Sequence, residues 1–246
     1  MTPTAATWGV VLLLAFISGM TTLVGVALGL RLGRSGSLIA VGIGFSAGVM
    51  VLVSLRELLP AAFAVLPSLR VWGAMGVGAG LLAVLHVLIP HIHLVEERGR
   101  LALPRSSCLV AFGLALHDFP EGIAMANAYL EAPSLGVLVF SAVALHNIPE
   151  GFAMAVPAAA GRQRSLMVAA LGAALSEPAG TVLGLSLAHV EPGLNAVFMA
   201  VAAGAMIFVS VHELLPMAVQ VGRPHLFVAG VVLSLPVYAV LHALIR

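Results

Sequence analysis

Long apolar stretches alternate along the chain with short connections rich in Gly, Pro, Ser and Arg, which favour turns and helix ends. A helix that crosses the hydrocarbon core of a bilayer needs roughly 20 apolar residues, and eight stretches reach that length. The pattern predicts helices over Trp8–Leu30, Leu38–Val65, Val71–His93, Ser107–Leu130, Leu135–Ala159, Ser165–Ala188, Leu194–Val219 and Leu226–Ile245. We therefore expect an all-α integral membrane protein, with eight transmembrane helices in one bundle and a single domain over residues 1–246.

The composition agrees with a membrane protein. The chain is 61% hydrophobic and 9% charged, with a mean hydropathy of +1.13, whereas a soluble domain has about 25% charged residues. The single cysteine, Cys108, excludes an internal disulfide framework. The first apolar run is too long for the core of a signal peptide and lacks a basic flank, so we interpret it as a retained helix.

The arginines predict an orientation in the membrane. Eight of them lie in the connections after the first, third, fifth and seventh predicted helices: Arg31, Arg34, Arg98, Arg100, Arg105, Arg162, Arg164 and Arg223. The opposite side holds only Arg70 and Arg246. Short loops that carry the excess of positive charge stay in the cytoplasm. We therefore expect both termini outside the cytoplasm of a multi-pass protein of the cell inner (plasma) membrane.

Two pairs of predicted helices repeat each other's sequence. Ala47–Pro60 in the second helix resembles Ala203–Pro216 in the seventh, and Ala115–Ala126 in the fourth resembles Ala144–Ala155 in the fifth. In the predicted topology the members of each pair run in opposite directions. Many secondary transporters build a midplane site from such inverted repeats. We expect helices 1–3 to be related to helices 6–8, and helix 4 to helix 5.

Carboxylates lie inside the predicted helices, although each charge at the bilayer centre costs roughly 2.5–3.5 kcal/mol. Four of them fall near the middle of helices 4, 5 and 6: Asp118, Glu121, Glu150 and Glu177. The alternating directions of these helices bring the four carboxylates to one depth, where they repel each other. Cations, either metal ions or protons, must therefore accompany them. One divalent ion would leave two negative charges, whereas two ions would neutralise the set.

The fourth predicted helix carries a set of metal-ligating side chains on one face. His117 and Glu121 are four residues apart, and Asp118 and Glu121 are three apart. The fifth helix repeats the set with His146, Asn147 and Glu150. Histidine, carboxylate and amide ligands suit Zn²⁺, Fe²⁺ or Mn²⁺ more than Ca²⁺ or Mg²⁺. Pro120 and Pro149 each remove a helical hydrogen bond, so we expect both helices to be loosened there.

The paired His-x-x-Pro-Glu-Gly motifs, His117–Gly122 and His146–Gly151, resemble those of the ZIP (Zrt/Irt-like protein) metal transporters. The Glu-Pro pair at Glu177 and the Ala-Gly-Val-Met run that ends at Met50 also match, and the resemblance covers nearly the whole chain. It implies import of zinc or a related divalent ion (iron, manganese or cadmium) into the cytoplasm. The ion would be a transported substrate.

The resemblance also implies a centre with two metal ions, bridged by Glu121 and Glu150. His117 and Met50 would complete the first site, and the second would be formed with Asp118, Asn147 and Glu177. The chain departs from the pattern at Asp118, where many members have Asn, which adds negative charge.

Some candidate residues have two interpretations. Met50 is either a ligand or core filling, and His146 is either a ligand or a hydrogen-bonding group beside the ligands. His212 and Glu213 form either a metal stop on the exit path or interfacial packing. A transient site at His86, His91 and His93 stays open.

Residues nearer the helix ends are interpreted as structural. We interpret Arg56 and Glu57 as an ion pair or interfacial anchor rather than as ligands. The remaining histidines at helix ends are expected at the interface: His189, His225 and His242.

Other functions fit the sequence less well. A membrane metalloprotease would need a His-Glu-x-x-His zinc motif, but the candidate His212–Pro216 lacks the second histidine, so we expect no enzyme. A selective divalent-cation channel stays an alternative, because rings of acids also select cations in pores. We expect metal ions and the lipid bilayer as partners, and no nucleic acid. A homodimer stays open.

Labelling of introduced cysteines tests the orientation. In a Cys108→Ser background, cysteines in Arg31–Ser35 and Arg162–Arg164 should resist an impermeant thiol reagent in intact cells, because the positive-inside rule places them in the cytoplasm. Cysteines near Thr4 or in Glu191–Gly193 should react. The reverse pattern would overturn the topology and, with it, the inferred direction of transport.

Overall fold

The computed structural model describes residues 3–32, 35–88, 103–155 and 163–246. Within these ranges the chain forms eight helices and no strand. They are α1 (Ala5–Leu32), α2 (Gly36–Val65), α3 (Ser68–Leu88), α4 (Leu103–Glu131), α5 (Pro133–Met154), α6 (in two segments, Gln163–Ala174 and Ser176–Val190), α7 (Asn195–Gln220) and α8 (Pro224–Ile245). The prediction of an all-α bundle is confirmed for this part of the chain. The predicted ends at His93 and Ala159 lie outside the described residues.

Seven of these helices are long and apolar enough to cross a membrane, so the chain is a multi-pass membrane protein. The remaining helix, α4, has 29 residues and carries His117, Asp118 and Glu121. The bundle buries all three side chains. These three polar side chains lie near the middle of α4.

Local sequence explains several helix ends. Pro133 and Pro224 open α5 and α8, in the first turn where a missing N–H costs nothing. Gly222 follows α7 with a φ of 73°, a left-handed conformation that glycine adopts without strain. Ala132 alone joins α4 to α5, so these two helices form a tight antiparallel hairpin.

A widened π-helical turn interrupts α2 at Ser54–Leu58 and α7 at Ser210–Leu214. Pro60 and Pro216 follow these turns at equivalent positions. Each proline lacks an N–H and crowds the carbonyl four residues earlier, which favours a local change in the hydrogen-bond pattern. The backbone N–H groups of Leu59 and Leu215 accordingly reach back five residues to their carbonyl partners.

The sequence predicted loosened helices at the two motif prolines, but the break lies in another helix. α4 and α5 continue as α-helix through Pro120 and Pro149. The interruption lies instead in α6, at Leu175, just before the Glu177-Pro178 pair. Pro178 cannot donate to the carbonyl four residues before it, so the two segments of α6 meet there.

Glycines bring α1 against α5 and α4 against α6. A Cβ at Gly122 of α4 would collide with the carbonyl of Glu177, and one at Gly180 of α6 would collide with the carbonyl of Phe119. Likewise, a Cβ at Gly25 of α1 would collide with the backbone of α5, and one at Gly151 of α5 would collide with the backbone of α1. Small residues allow such close approach where no hydrophobic effect drives helices together.

The pairs α2 with α8 and α3 with α7 pack by the same device. Gly44 and Gly230 face backbone atoms across the first pair, and Gly78 and Gly204 do so across the second. α4 also contacts α5 and α7, and α5 contacts α2. The motif helices are therefore surrounded by the rest of the bundle.

The glycine packing can be tested on α3. Ala at Gly78 would press its Cβ against the carbonyl of Val201, whereas Gly76 and Gly80 have open space around them. Gly→Ala in a helix otherwise stabilises by about 1 kcal/mol. Gly78→Ala should therefore lower the Tm of the purified protein in detergent, while Gly76→Ala and Gly80→Ala keep or raise it. Equal Tm values for all three variants would contradict the packing argument.

Candidate metal centre

The four predicted central carboxylates are all buried. The exposed fractions are 1% for Asp118, 0% for Glu121, 4% for Glu150 and 0% for Glu177. The polar side chains beside them, His117, His146 and Asn147, are buried as well. α4, α5 and α6 thus place seven polar or charged side chains inside an apolar bundle, where each needs a partner.

Each motif histidine contacts the glutamate of the other motif. His117 Nε2 of α4 lies 3.3 Å from Glu150 Oε2 of α5, and His146 Nε2 of α5 lies 3.2 Å from Glu121 Oε1 of α4. Both contacts join α4 to α5, so each histidine contacts the glutamate of the other motif rather than that of its own. The repeated motifs therefore act as one unit.

One group of ligand atoms is compact enough to hold a metal ion. His117 Nε2 lies 3.4 Å from Asp118 Oδ1 as well as near Glu150, and one ligand atom from each of the three residues lies within 4.8 Å of the others. Zinc ligands lie about 2.0–2.2 Å from the ion in proteins. Small side-chain adjustments would therefore close these three groups around one ion.

Asn147 connects Glu177 to the centre. Its Nδ2 donates to Glu177 Oε1 at 2.5 Å and to the backbone carbonyl of Ser18 at 3.3 Å. The carboxylates of Glu121, Glu177 and Glu150 all repel that of Asp118. Asp118 and Glu177 therefore belong to the same cluster of negative charge.

Several buried oxygens of this cluster accept no hydrogen bond from the described residues. They are both carboxylate oxygens of Asp118, Glu121 Oε2, Glu150 Oε1, Glu177 Oε2 and Asn147 Oδ1. Buried polar atoms are nearly always satisfied in folded proteins. The Nδ1 atoms of His117 and His146 also have no hydrogen-bond partner among the described residues. The oxygens therefore need a donor, a proton or a metal ion as partner.

Of the pair His212 and Glu213, only Glu213 lies beside a motif histidine. Its Oε2 lies 3.8 Å from His117 Nδ1, and its Oε1 lies 3.6 Å from His86 Nδ1 on α3. A carboxylate behind a metal-binding histidine orients the ring and raises its basicity. His212 is exposed and stacks on Phe208, with ring centroids 4.4 Å apart. His91 and His93 lie outside the described residues.

α2 reaches the centre through Ser46. Its hydroxyl donates to the backbone carbonyl of His146 at 2.9 Å, a contact that sequence reasoning missed. The only signal was a hydroxyl within an apolar helix. Met50, one turn further along α2, is fully buried, and its sulfur lies 3.8 Å from Ser210 Oγ of α7. Its assignment as a metal ligand stays a prediction.

Glu57 lies in an ion pair, but its partner is Arg246 rather than the neighbouring Arg56. Arg246 Nη1 lies 2.9 Å from Glu57 Oε2, and His242 Nδ1 lies 3.0 Å from Glu57 Oε1. The hydroxyl of Tyr238 also donates to Glu57. Glu57 thus fastens the end of α8 to the widened turn of α2.

Residues 94–235 match the model of the family described as ZIP Zinc transporter. The chain belongs to this ZIP family. The protein named zinc transporter ZupT in Corynebacterium aurimucosum is 36% identical over 252 residues, which cover 94% of this chain and 95% of that relative. ZupT of Nitratidesulfovibrio vulgaris is 38% identical over 258 residues, covering 92% and 93% of the two chains. ZupT of Escherichia coli O7:K1 is 39% identical over 225 residues, covering 85% and 87%.

The ZIP match includes α4 to α7, and therefore both histidine motifs and Glu177, whereas Ser46 and Met50 precede it. Two further helices contact the hairpin of α4 and α5 that carries the motifs: α2 through Ser46 and α7 through Glu213. The α4–α5 hairpin thus carries both histidine motifs, and these neighbouring helices contact it from two sides.

Removal of His117 tests whether the centre binds metal. His117→Gln should weaken Zn²⁺ binding to the purified protein at least about tenfold, since the ring sits between two carboxylates and even the outer partners of metal ligands contribute that much. Equilibrium binding in detergent measures the effect. His189→Gln, at the exposed end of α6, is the matched control. Equal affinities in the two variants would exclude His117 as a ligand.

Proposed function

We propose that this ZIP protein imports divalent transition-metal ions, zinc first among them, into the cytoplasm through a binuclear site at the bilayer midplane. The observation that carries the proposal is the buried set of acceptor oxygens around two crossed His–Glu contacts. Four carboxylates balance the charge of two divalent ions. The relatives named zinc transporters favour zinc among the ions that such ligands accept.

Glu121 and Glu150 are the bridging ligands in this proposal. Each contacts the histidine of the opposite helix and keeps one oxygen that accepts no hydrogen bond from the described residues. A carboxylate with one engaged and one open oxygen between two helices is suited to bridge two ions. His117 and Met50 complete the first site, and Asp118, Asn147 and Glu177 form the second. Asp118 is also close enough to His117 to serve the first site.

Inverted repeats account for the way in which the helices pair. If α1–α3 are exchanged with α6–α8, and α4 with α5, then the contact of α1 with α5 becomes the contact of α6 with α4. The same exchange converts the contact of α2 with α8 into that of α7 with α3, and all four are close pairs in the bundle. The π-helical turns of α2 and α7 also occupy equivalent positions. Symmetry of this kind places a site between the halves.

The buried centre favours a carrier over an open channel. The four central carboxylates are at most 4% exposed, so an ion bound there would be closed off from both sides. Alternating exposure of such a site is how secondary transporters work. We place the protein in the plasma membrane with both termini outside, on the arginine asymmetry. Lipid covers the outward faces of α3 and α8, the least buried spans, and a homodimer would use such a face.

Zinc flux in liposomes tests the bridging assignment. Glu121→Gln and Glu150→Gln should each nearly abolish transport, because the loss of a bridging carboxylate damages both sites and metal affinity depends on deprotonated ligands. Asp118→Asn, on the same helix as Glu121, should keep substantial flux, because both bridging carboxylates remain and many members of the family have Asn at this position. Glu177→Gln should fall between them.

The comparison needs variants that fold and that are reconstituted at matched density. Normal flux in Glu121→Gln together with a dead Asp118→Asn would show that Glu121 is not a bridge. Flux that rises without saturation as zinc increases would favour a channel.

A further inference from the structure

Two serine–methionine contacts join α2 and α7 in a reciprocal arrangement. Ser210 Oγ of α7 lies 3.8 Å from Met50 Sδ of α2, and Ser54 Oγ of α2 lies 3.9 Å from Met206 Sδ of α7. All four side chains are buried, with exposed fractions of 4% or less. The first residue of each widened turn thus faces the methionine of the other helix.

Each serine hydroxyl also has an acceptor on its own helix. Ser210 Oγ donates to the carbonyl of Met206 at 2.9 Å, and Ser54 Oγ donates to the carbonyl of Met50 at 2.8 Å. A hydroxyl has one proton and rotates between acceptors. Ser210 can therefore share its proton between a backbone carbonyl and the Met50 sulfur, and it retains that sulfur in the interface of α2 and α7.

The two contacts differ in their relation to the proposed centre. Ser46, four residues before Met50 on the same face of α2, donates to the carbonyl of His146. The equivalent position in α7 is Ala202, which has no hydroxyl. Met50 therefore lies one helical turn from a serine that contacts α5, whereas Met206 has no equivalent serine on α7.

A thioether is a soft ligand, and soft ligands select soft ions over hard ones. We propose that Ser210 is a specificity-determining residue, whose hydroxyl retains the Met50 thioether and so shifts the proposed centre towards the harder ions of its range. This inference rests on the proposed function, because it needs Met50 within reach of the bound metal. Methionine has three rotatable bonds, so a released side chain reaches new positions easily.

Binding of Cd²⁺ and Mn²⁺ to the purified full-length protein tests the inference. Ser210→Ala should raise the affinity for Cd²⁺ relative to Mn²⁺ by at least about threefold, a change that corresponds to the loss of one weak hydrogen bond. Ser54→Ala removes the equivalent hydroxyl beside Met206 and should leave the ratio unchanged. Should Ser210→Ala fail to accumulate, Ser210→Thr and Ser210→Val supply a pair of similar shape, of which only the valine variant should shift the ratio.

A Met50→Leu background supplies the decisive comparison. Without the thioether, Ser210→Ala (or Ser210→Val) should no longer change the ratio of the two affinities. A shift that persists in this background, or an equal shift in Ser54→Ala, would overturn the inference. Retained metal binding in His117→Gln would instead refute the proposed centre. Loss of binding in His117→Gln, with an unchanged ratio in Ser210→Ala, would refute only the role of Ser210.

Discussion

The crossed contacts between each motif histidine and the glutamate of the other motif couple α4 to α5 inside the apolar bundle, where unpaired charge is costly. Four carboxylates share this space, and several of their oxygens accept no hydrogen bond from the described residues. Negative charge of this density is tolerable in low dielectric only when cations neutralise it. The bundle therefore places a demand for protons or metal ions in its interior.

Close backbone approach holds α4 and α5 against their other neighbours. Gly122 and Gly151 follow the motif glutamates directly, and each meets a carbonyl of the helix packed behind it, on α6 or α1. Side chains at these positions would push the motif helices away from their supports. The same residues that resemble a family motif thus serve two purposes, since the histidines and glutamates face the centre while the glycines set how closely α4 and α5 are held.

Neighbouring helices hold the polar side chains of α4 and α5 through several contacts. Glu213 of α7 lies behind His117, Asn147 donates to Glu177, and Ser46 of α2 donates to the carbonyl of His146. The contact of Ser210 with Met50 adds a thioether, a soft donor, to this outer layer. Metal preference in such a centre depends on these partners as much as on the ligands, because they set which donor atoms are available and how they are oriented.

The all-α membrane class and the approximate positions of the eight helices could be predicted from the sequence, because apolar length is a local property of the chain. The sequence also singled out the four central carboxylates, which the bundle buries, because charges within apolar stretches are visible without a structure. It also identified the family through two short motifs. Only the tertiary structure decided which histidine meets which glutamate, that α4 and α5 stay helical through their prolines while α6 is interrupted, and that Glu57 pairs with Arg246. Ser46 and Ser210 likewise carried little signal in the sequence. Each of these outcomes depends on contacts between helices far apart in the chain, and spacing along a single helix says which side chains share a face but not what that face meets.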